Sequence, residues 1–196
     1  MILNRFVKII ALLFCKLFFL IQGVNRGNIP KMGGVIIASN HVSFLDPIVL
    51  TTVIPPVVNF MAKKELFSFN RFFGGFISSV GAFPVNRGKV SKDTIKKAIA
   101  VLNSGRALIM FPEGGRSKDG SIQEGEPGCV WLARLTGVLI VPAKIYGSDK
   151  AFPVNKSIFH PYPVKVVFGK TFDVRDYSDL SMQELTCILM DRIRKL

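Results

Sequence analysis

Acidic residues are scarce in this sequence, above all in its first half. Before Asp93 the only acidic side chains belong to Asp46 and Glu65, and the chain of 196 residues carries 13 Asp and Glu against 26 Lys and Arg. The chain is also 49% hydrophobic. Its basic residues are interleaved with apolar runs and no DNA- or RNA-binding motif is present, which argues against a nucleic-acid-binding protein. A chain that is both basic and apolar is typical of a protein at the surface of an anionic bilayer.

Cysteine and histidine, which often bind metals, are also few. The three cysteines, at positions 15, 129 and 187, match no metal-binding spacing, and an odd, scattered set argues against a disulfide framework. The two histidines are His41 and His160, and His160 lies far along the chain from any acidic cluster. The sequence therefore predicts no metal site.

No apolar run reaches the roughly 20 residues that a helix needs to span a bilayer. Residues 6–21 are apolar except for Lys8 and Lys16, and no signal-peptide cleavage site follows them. This pattern favours a helix that lies in the membrane interface, with its cations reaching the lipid phosphates. A true span and a buried core helix are the alternatives. We expect residues 1–24 to form a membrane-anchoring helix and residues 25–196 to form the rest of the protein.

Beyond residue 24, short β-rich runs alternate with helical patterns. Asp46-Pro47 predicts a helix start with Asp46 as the N-cap, and the sequence from Ser181 to Glu184 predicts a capping box. The alternation predicts an α/β fold, in which helices flank a largely parallel sheet behind the N-terminal membrane-associated helix. The predicted strands are residues 35–38, 81–85, 107–111, 138–141 and 164–168.

The loop after the first predicted strand contains His41, with Asp46 five residues further on. A general base that deprotonates a hydroxyl needs a pKa near neutrality and a partner that fixes its tautomer. A carboxylate that accepts from one ring nitrogen leaves the other nitrogen free to take the proton. Alternatively, Asp46 is only a helix cap and His41 a polar loop residue.

Two more loops that follow predicted strands carry arginine. In F-P-E-G-G-R-S, residues 111–117, glycines let backbone amides approach an anion, Arg116 is a two-pronged phosphate donor, and Glu113 is a candidate acceptor for a substrate hydroxyl. Arg87 follows the strand at 81–85. Each loop has the alternative of a surface turn. Lys63 lies in the Phe-rich segment 60–76, which fits either a membrane-facing edge or a partly buried helix.

Together these loops resemble the glycerolipid acyltransferases typified by 1-acylglycerol-3-phosphate O-acyltransferase. That family carries N-H-x-x-x-x-D, a short block that ends in Arg, F-P-E-G-x-R-S, and an apolar V-P segment. All four occur here in the same order, at residues 40–46, 84–87, 111–117 and 141–142. The resemblance spans roughly residues 34–146, and residues 25–196 would be the acyltransferase domain. The sequence departs from the family in three places: Gly115 replaces a common Thr, Glu126-Pro127-Gly128 replaces a common K-x-G, and the N-terminus has one apolar segment where some relatives carry a two-helix anchor.

The resemblance implies a role for each matching residue. His41 would be the general base and Asp46 would hold and polarise it. The acyl group would come from acyl-CoA or an acyl carrier protein thioester as co-substrate, with no metal and no redox cofactor. The phosphate and glycerol of the acceptor would bind to Lys63, Arg87, Glu113, Gly114 and Arg116.

The implied reaction is acyl transfer to the free hydroxyl of 1-acylglycerol-3-phosphate, which gives phosphatidic acid in phospholipid biosynthesis. The partners would be the lipid bilayer, the lysophospholipid acceptor and the acyl donor. The expected location is the cytoplasmic face of the cell membrane, with a monotopic attachment or a single N-terminal anchor. Two alternatives stay open. One is an enzyme of this family with another acceptor, such as glycerol-3-phosphate or a lyso-amino-acid lipid, and the other is a catalytically idle membrane-binding protein.

Overall fold

A single sheet of seven strands runs through the described part of the protein. The computed structural model describes residues 2–54, 58–85, 91–117, 119–153 and 158–196, without the side chains of residues 2–8, 11, 69 and 71. The strand order is β1-β7-β6-β2-β5-β3-β4. The strands are β1 (Gln22–Val24), β2 (Val35–Ser39), β3 (Val58–Lys63), β4 (Ala82–Val85), β5 (Ala107–Met110), β6 (Leu139–Tyr146) and β7 (Lys165–Phe168).

The sheet is mostly parallel, as the alternation of strands and helices predicts. Strands β2 to β6 all run in one direction. Strand β7 is antiparallel to β6, and β1 is parallel to β7. The carboxyl ends of β2 to β6 therefore meet the beginnings of β7 and β1 at one edge of the sheet, which we call the carboxyl edge.

Helices cover both faces of the sheet, because both faces of its central strands are apolar. In β2, Val35 and Ile37 pack into one core with α1, α2 and α4, whereas Ile36 and Ala38 pack into the other core with α5, α6 and α8. This confirms the predicted α/β architecture. The helices are α1 (Ile2–Phe18), α2 (Asp46–Val53), α3 (Glu65–Phe69), α4 (Arg71–Ser79), α5 (Lys92–Asn103), α6 (Gly128–Thr136), α7 (Ser148–Ala151) and α8 (Met182–Arg194).

The prediction that Asp46 is an N-cap is wrong. Helix α2 begins at Asp46, and the residue in the cap position is Leu45, which makes no side-chain capping bond. The Asp46 carboxylate instead accepts hydrogen bonds from Val42 and Ser43, which precede the helix. The helix start at Asp46-Pro47 is confirmed, but the carboxylate is used by the loop that leads to it.

The sequence patterns missed two strands. Strand β3 leads into the Phe-rich segment, and its alternate residues Val58 and Phe60 are buried. It is hydrogen-bonded to β4 on one side and to β5 on the other. Strand β1 lies within the segment 1–24 that we assigned to the anchor, and residues 22–24 pair with β7. At three residues, β1 is too short for its alternation to be recognised in a sequence.

Helix α1 has one face against the protein and another exposed. Leu12 and Cys15 pack against the core, and the chain just after the helix is buried at Phe19 and Ile21. Within the described residues, none of the helices is long and apolar enough to cross a membrane. The exposed side of the helix is nevertheless rich in large apolar side chains: Ile9, Ile10, Leu13, Phe14, Leu17 and Phe18.

Gly34, directly before β2, offers a test of how closely the sheet packs on α5. A Cβ atom added there would lie 2.2 Å from the main-chain oxygen of Leu102, and a backbone atom moves less readily than a side-chain end. We expect Gly34→Ala to reduce the free energy of unfolding by about 1–3 kcal/mol, measured by urea denaturation. Gly27→Ala is the matched control, because no described atom lies within 4 Å of its added Cβ. Equal stability of the two variants would contradict this packing.

Candidate active site

His41 and Asp46 are in direct contact at the carboxyl end of β2. The Nδ1 atom of His41 lies 2.8 Å from Oδ2 of Asp46. With a carboxylate as acceptor, Nδ1 carries the proton and Nε2 holds the lone pair. Only 10% of the His41 side chain is exposed, so the imidazole is almost enclosed by the protein. The arrangement is that of an oriented general base.

The Asp46 carboxylate organises the loop that holds His41. Its Oδ2 atom accepts three hydrogen bonds, each 2.8 Å long, from His41 Nδ1 and from the main-chain amides of Val42 and Ser43. The residue is fully buried, and its Oδ1 atom has no hydrogen-bond partner among the described residues. Because Asp46 lies in the first turn of α2, the positive end of the helix dipole also stabilises its negative charge.

Asn40 fixes the position at which this loop leaves the sheet. Its side-chain amide donates to the main-chain oxygen of Ile145 at 3.1 Å and accepts from the main-chain amide of Ile145 at 2.7 Å. The side-chain amide thus makes the pair of hydrogen bonds that a main-chain amide of a neighbouring strand would make, and it joins the end of β2 to β6. The residue before His41 is therefore held rigidly. The motif contained Asn40, but the sequence spacing did not indicate what it would contact.

The F-P-E-G-G-R-S loop surrounds His41 on several sides. Oε1 of Glu113 accepts from the main-chain amide of His41 at 2.8 Å, and the main-chain oxygen of His41 accepts from the amide of Ser117 at 2.8 Å. The rings of His41 and Phe111 are stacked, with their centroids 4.0 Å apart. The structure therefore brings the two predicted loops together around one imidazole. Phe111 is a contact that sequence reasoning did not assign.

Glu113 joins two parts of the chain. While Oε1 accepts from His41, Oε2 accepts from the main-chain amide of Gln123 at 2.9 Å. Burial raises the pKa of the Glu113 carboxyl, and the two amide donors oppose that increase. The geometry gives this side chain a positioning role toward His41, in addition to the substrate contact that the resemblance implies.

Gly114 and Arg116 occupy the turn of the same loop. Gly114 has φ +66°, a left-handed conformation that favours glycine, and its amide donates to the main-chain oxygen of Phe111. The guanidinium carbon of Arg116 lies 3.4 Å from the centroid of the Phe44 ring, a cation–π contact. Since Phe44 belongs to the loop between His41 and Asp46, Arg116 is held close to the candidate base.

The remaining predicted site residues belong to β3 and the segment after β4. Lys63 is the last residue of β3 and is paired in register with Val85, so it lies at the carboxyl edge. Its side chain is 46% exposed and is 3.5 Å from Glu65, a contact between two exposed groups that contributes little stability. Arg87 lies outside the described residues.

The chain is similar to known acyltransferases in sequence and in structure. The sequence profile of the Acyltransferase family matches residues 21–146. The 1-acyl-sn-glycerol-3-phosphate acyltransferase of Bacillus subtilis is 32% identical over 178 residues, which cover 88% of this chain and 85% of that protein. The enzyme of the same name from Borreliella burgdorferi is 31% identical over 172 residues, which cover 86% of this chain and 68% of that protein.

A solved structure gives the same result. The crystal structure of the 1-acyl-sn-glycerophosphate (LPA) acyltransferase PlsC from Thermotoga maritima has a TM-score of 0.79 and 27% sequence identity to this chain. The match covers 98% of this chain and 79% of that one. The likeness therefore extends over the whole described sheet and its helices.

The raised pKa of Glu113 gives a prediction about stability and pH. The folded state binds the proton of the Glu113 carboxyl more tightly than the unfolded state does. The contribution of this proton to the free energy of unfolding is therefore complete below pH 4.5, and it is lost as the pH rises through the folded-state pKa of Glu113. We expect wild type to lose stability relative to Glu113→Gln over that range, in urea denaturation at a series of pH values. The exposed Glu124→Gln is the control for charge removal. A difference between wild type and Glu113→Gln that does not change with pH would contradict the prediction.

Proposed function

The chain belongs to the acyltransferase family, and on this premise we propose that it transfers a fatty acyl group from an acyl thioester to the free hydroxyl of 1-acylglycerol-3-phosphate, giving phosphatidic acid. The observation that carries the proposal is the 2.8 Å contact between His41 Nδ1 and the buried Asp46 carboxylate. It lies inside two loops with the motifs of that family. The relatives named 1-acyl-sn-glycerol-3-phosphate acyltransferase support this choice of acceptor.

The reaction needs one base that becomes an acid. His41 Nε2 takes the proton of the acceptor hydroxyl while the hydroxyl oxygen attacks the thioester carbonyl carbon. The tetrahedral intermediate collapses with cleavage of the carbon–sulfur bond, and the leaving thiolate takes the proton back from His41. The products are an ester and a free thiol. Asp46 stabilises the imidazolium that exists between these steps.

The acceptor phosphate and glycerol bind, in this proposal, at the carboxyl edge beside His41. Lys63 ends β3 at this edge, and Arg116 is held over Phe44 within the loop that carries His41. Arginine and lysine are the usual partners of phosphate, arginine as a two-pronged donor. The transfer changes no oxidation state, and we propose no metal and no redox cofactor. Arg87, Glu113 and Gly114 complete the proposed acceptor site.

The surface of the protein that we propose contacts the membrane, here called the docking surface, is the exposed apolar side of α1 together with nearby aromatic residues. Chain direction places this surface close to the base, because α1 leads into β1, which begins at the carboxyl edge. Neighbouring rings 4.4 to 6.3 Å apart lead from a ring buried just after α1 to exposed rings near the loop that carries His41. Those rings belong to Phe19, Phe159, Phe152 and Phe44.

An amphipathic helix with exposed Leu and Phe binds in the interface of a bilayer, and basic residues add attraction to anionic lipid. The formal net charge of +13 favours an anionic surface. We therefore propose a monotopic attachment through residues 1–24 to the cytoplasmic face of the cell membrane, with residues 25–196 as the acyltransferase domain. Both lipid substrates are concentrated there, which favours their encounter.

His41→Ala tests the proposed base. We expect acyl transfer to labelled 1-acylglycerol-3-phosphate to fall at least about 100-fold, as for the loss of a general base. His160→Ala is the matched control, because it removes an exposed imidazole and leaves the main-chain bond from His160 to Ala151 in place. Activity is measured with detergent-purified full-length protein, using acyl-CoA and acyl carrier protein thioesters in separate assays.

The same assay with a panel of acceptors tests the substrate. Transfer to glycerol-3-phosphate or to a lyso-amino-acid lipid, with none to 1-acylglycerol-3-phosphate, would keep the family and contradict the proposed acceptor. Undiminished transfer by His41→Ala would contradict the mechanism. No transfer to any acceptor would contradict the enzymatic function altogether.

Leu13→Glu tests the docking surface. Burial of one Leu side chain contributes about 1.5–3 kcal/mol, so its replacement by Glu should weaken co-sedimentation with anionic vesicles about tenfold or more. Leu135→Glu is the matched control: Leu135 is 55% exposed where Leu13 is 54% exposed, and it lies on α6, on the other side of the sheet. Equal binding by the two variants would contradict docking through α1.

A further inference from the structure

A cavity of about 620 Å³ opens beside the candidate base. Asn40 and Val42, the two neighbours of His41, belong to its lining, and because both are buried they form its inner end. The rest of the lining comes from the end of β6, from α7, from the beginning of β7 with the two residues 162–163 before it, and from Gly120 and Ile122. A volume of this size is usual for a site that holds a cofactor or another medium-sized ligand. The cavity lies on the β6 side of His41, whereas Lys63 ends a strand on the β5 side.

The described lining of this cavity is basic. Three lysines contribute to it, Lys144, Lys150 and Lys165, against one carboxylate, that of Asp149. Lys150 and Lys165 are exposed, so both ammonium groups are open to a ligand from solution. Lys144 is held in place by a hydrogen bond from its Nζ to the main-chain oxygen of Arg194. A concave surface with an excess of cations attracts and concentrates an anionic ligand.

Two tyrosine rings lie among these cations. The ammonium groups of Lys144 and Lys165 are each 5.0 Å from the centroid of the Tyr146 ring. Since each lies 5.0 Å from the same centroid, the two ammonium groups are at most 10.0 Å apart, and one anion placed between them would be attracted to both. Lys150 lies 5.2 Å from the centroid of Tyr162 and donates to its hydroxyl at 3.2 Å. The cavity thus combines flat aromatic surfaces with phosphate-binding groups.

The backbone is shaped to hold Tyr162 at this position. Gly147, after β6, has φ +84°, and an added Cβ would lie 2.4 Å from the main-chain oxygen of Pro163 and 3.1 Å from the Tyr162 ring. Glycine therefore permits the close approach that brings Tyr162 and Lys150 together. Tyr146 and Lys165 are paired directly across the antiparallel β6–β7 ladder. The pairing of β6 with β7 thus fixes the relative positions of Tyr146 and Lys165.

We propose that this cavity binds the phosphorylated nucleotide of the acyl donor, and that the donor is a coenzyme A thioester. The proposal rests on the function proposed above, which requires an acyl thioester next to His41. Coenzyme A joins an adenine ring and several phosphates to its thiol through a flexible arm. The lysines match the phosphates, the tyrosines match the adenine, and the inner end at Asn40 and Val42 directs the arm to His41.

The location also keeps donor and acceptor apart. If both anionic groups used Lys63 and Arg116, the two substrates would compete for the same cations. With the donor on the β6 side and Lys63 of the proposed acceptor site on the β5 side, the thioester carbon and the acceptor hydroxyl meet at His41 from different directions. That geometry suits direct transfer within a complex of both substrates.

The test compares two charge-matched double variants of the full-length protein. Lys150→Gln with Lys165→Gln removes two cations from the cavity, whereas Lys31→Gln with Lys170→Gln removes two exposed cations at the opposite edge of the sheet. We expect the cavity variant to raise KM for acyl-CoA about tenfold or more, the scale of losing phosphate contacts. Its kcat and its KM for the acceptor should match those of the control variant.

Acyl-pantetheine supplies a second comparison, because it carries the same thioester without nucleotide or phosphates. The cavity variant should use it as well as wild type does. Binding of adenosine 3′,5′-bisphosphate, measured by calorimetry without turnover, should weaken in the cavity variant and not in the control. This measurement is independent of catalysis, so an inactive wild type that binds the bisphosphate would overturn the proposed function and support the cavity.

Several results would overturn the donor site. The first is an unchanged KM for acyl-CoA in an active cavity variant. The second is a wild type that uses only acyl carrier protein thioesters, which would assign the lysines to an acidic protein partner. The third is a loss of anionic vesicle binding by the cavity variant with unchanged kinetics for acyl-CoA, which would assign them to lipid headgroups.

Discussion

The structure of the site depends on one buried carboxylate. Asp46 Oδ2 holds His41 Nδ1 and the amides of Val42 and Ser43 in three bonds of equal length, so a single atom sets both the tautomer of the imidazole and the path of the loop. A buried charge is costly without donors and a favourable field, and the first turn of α2 supplies part of that field. Removing the carboxylate would therefore release the loop as well as the ring, and the amides left without an acceptor would cost about 1–3 kcal/mol each.

The second loop makes the position of His41 more rigid. The amide of His41 is held by Glu113, its main-chain oxygen by Ser117, and its ring by stacking on Phe111. Since Asn40 also fixes the preceding residue to β6, little reorganisation is left for the moment of proton transfer. An imidazole oriented in advance lowers the barrier because the ordering entropy is already lost on folding. The near-complete burial of His41 limits the directions from which a hydroxyl can approach.

The sequence predicts local chemistry better than long-range contacts. The spacing of His41 and Asp46 led to their pairing, and strand–helix alternation led to a largely parallel sheet. The Asp46 carboxylate was nevertheless expected to accept from amides of the helix, whereas it accepts from the loop amides of Val42 and Ser43. An N-cap and a carboxylate that turns back toward the preceding loop have the same sequence pattern. The bond between Asn40 and Ile145 joins positions 105 residues apart, and no local pattern indicates such a partner. Strand β3 was missed because its stability comes from pairing on both sides.

Chain direction at the edge of the sheet brings the apolar side of α1 to the same side of the protein as His41. Because β7 reverses direction relative to β6 and β1 follows β7, α1 joins the sheet at the carboxyl edge, where His41 lies. Had β1 been parallel to β6, the same helix would have joined the opposite edge, far from the base. On the proposed function, a lipid held by the apolar side of α1 would pass the exposed rings of Phe159 and Phe44 before it reaches His41. The short strand that sequence patterns fail to reveal thus determines which side of the protein carries the apolar side of α1, the side that we propose faces the lipid.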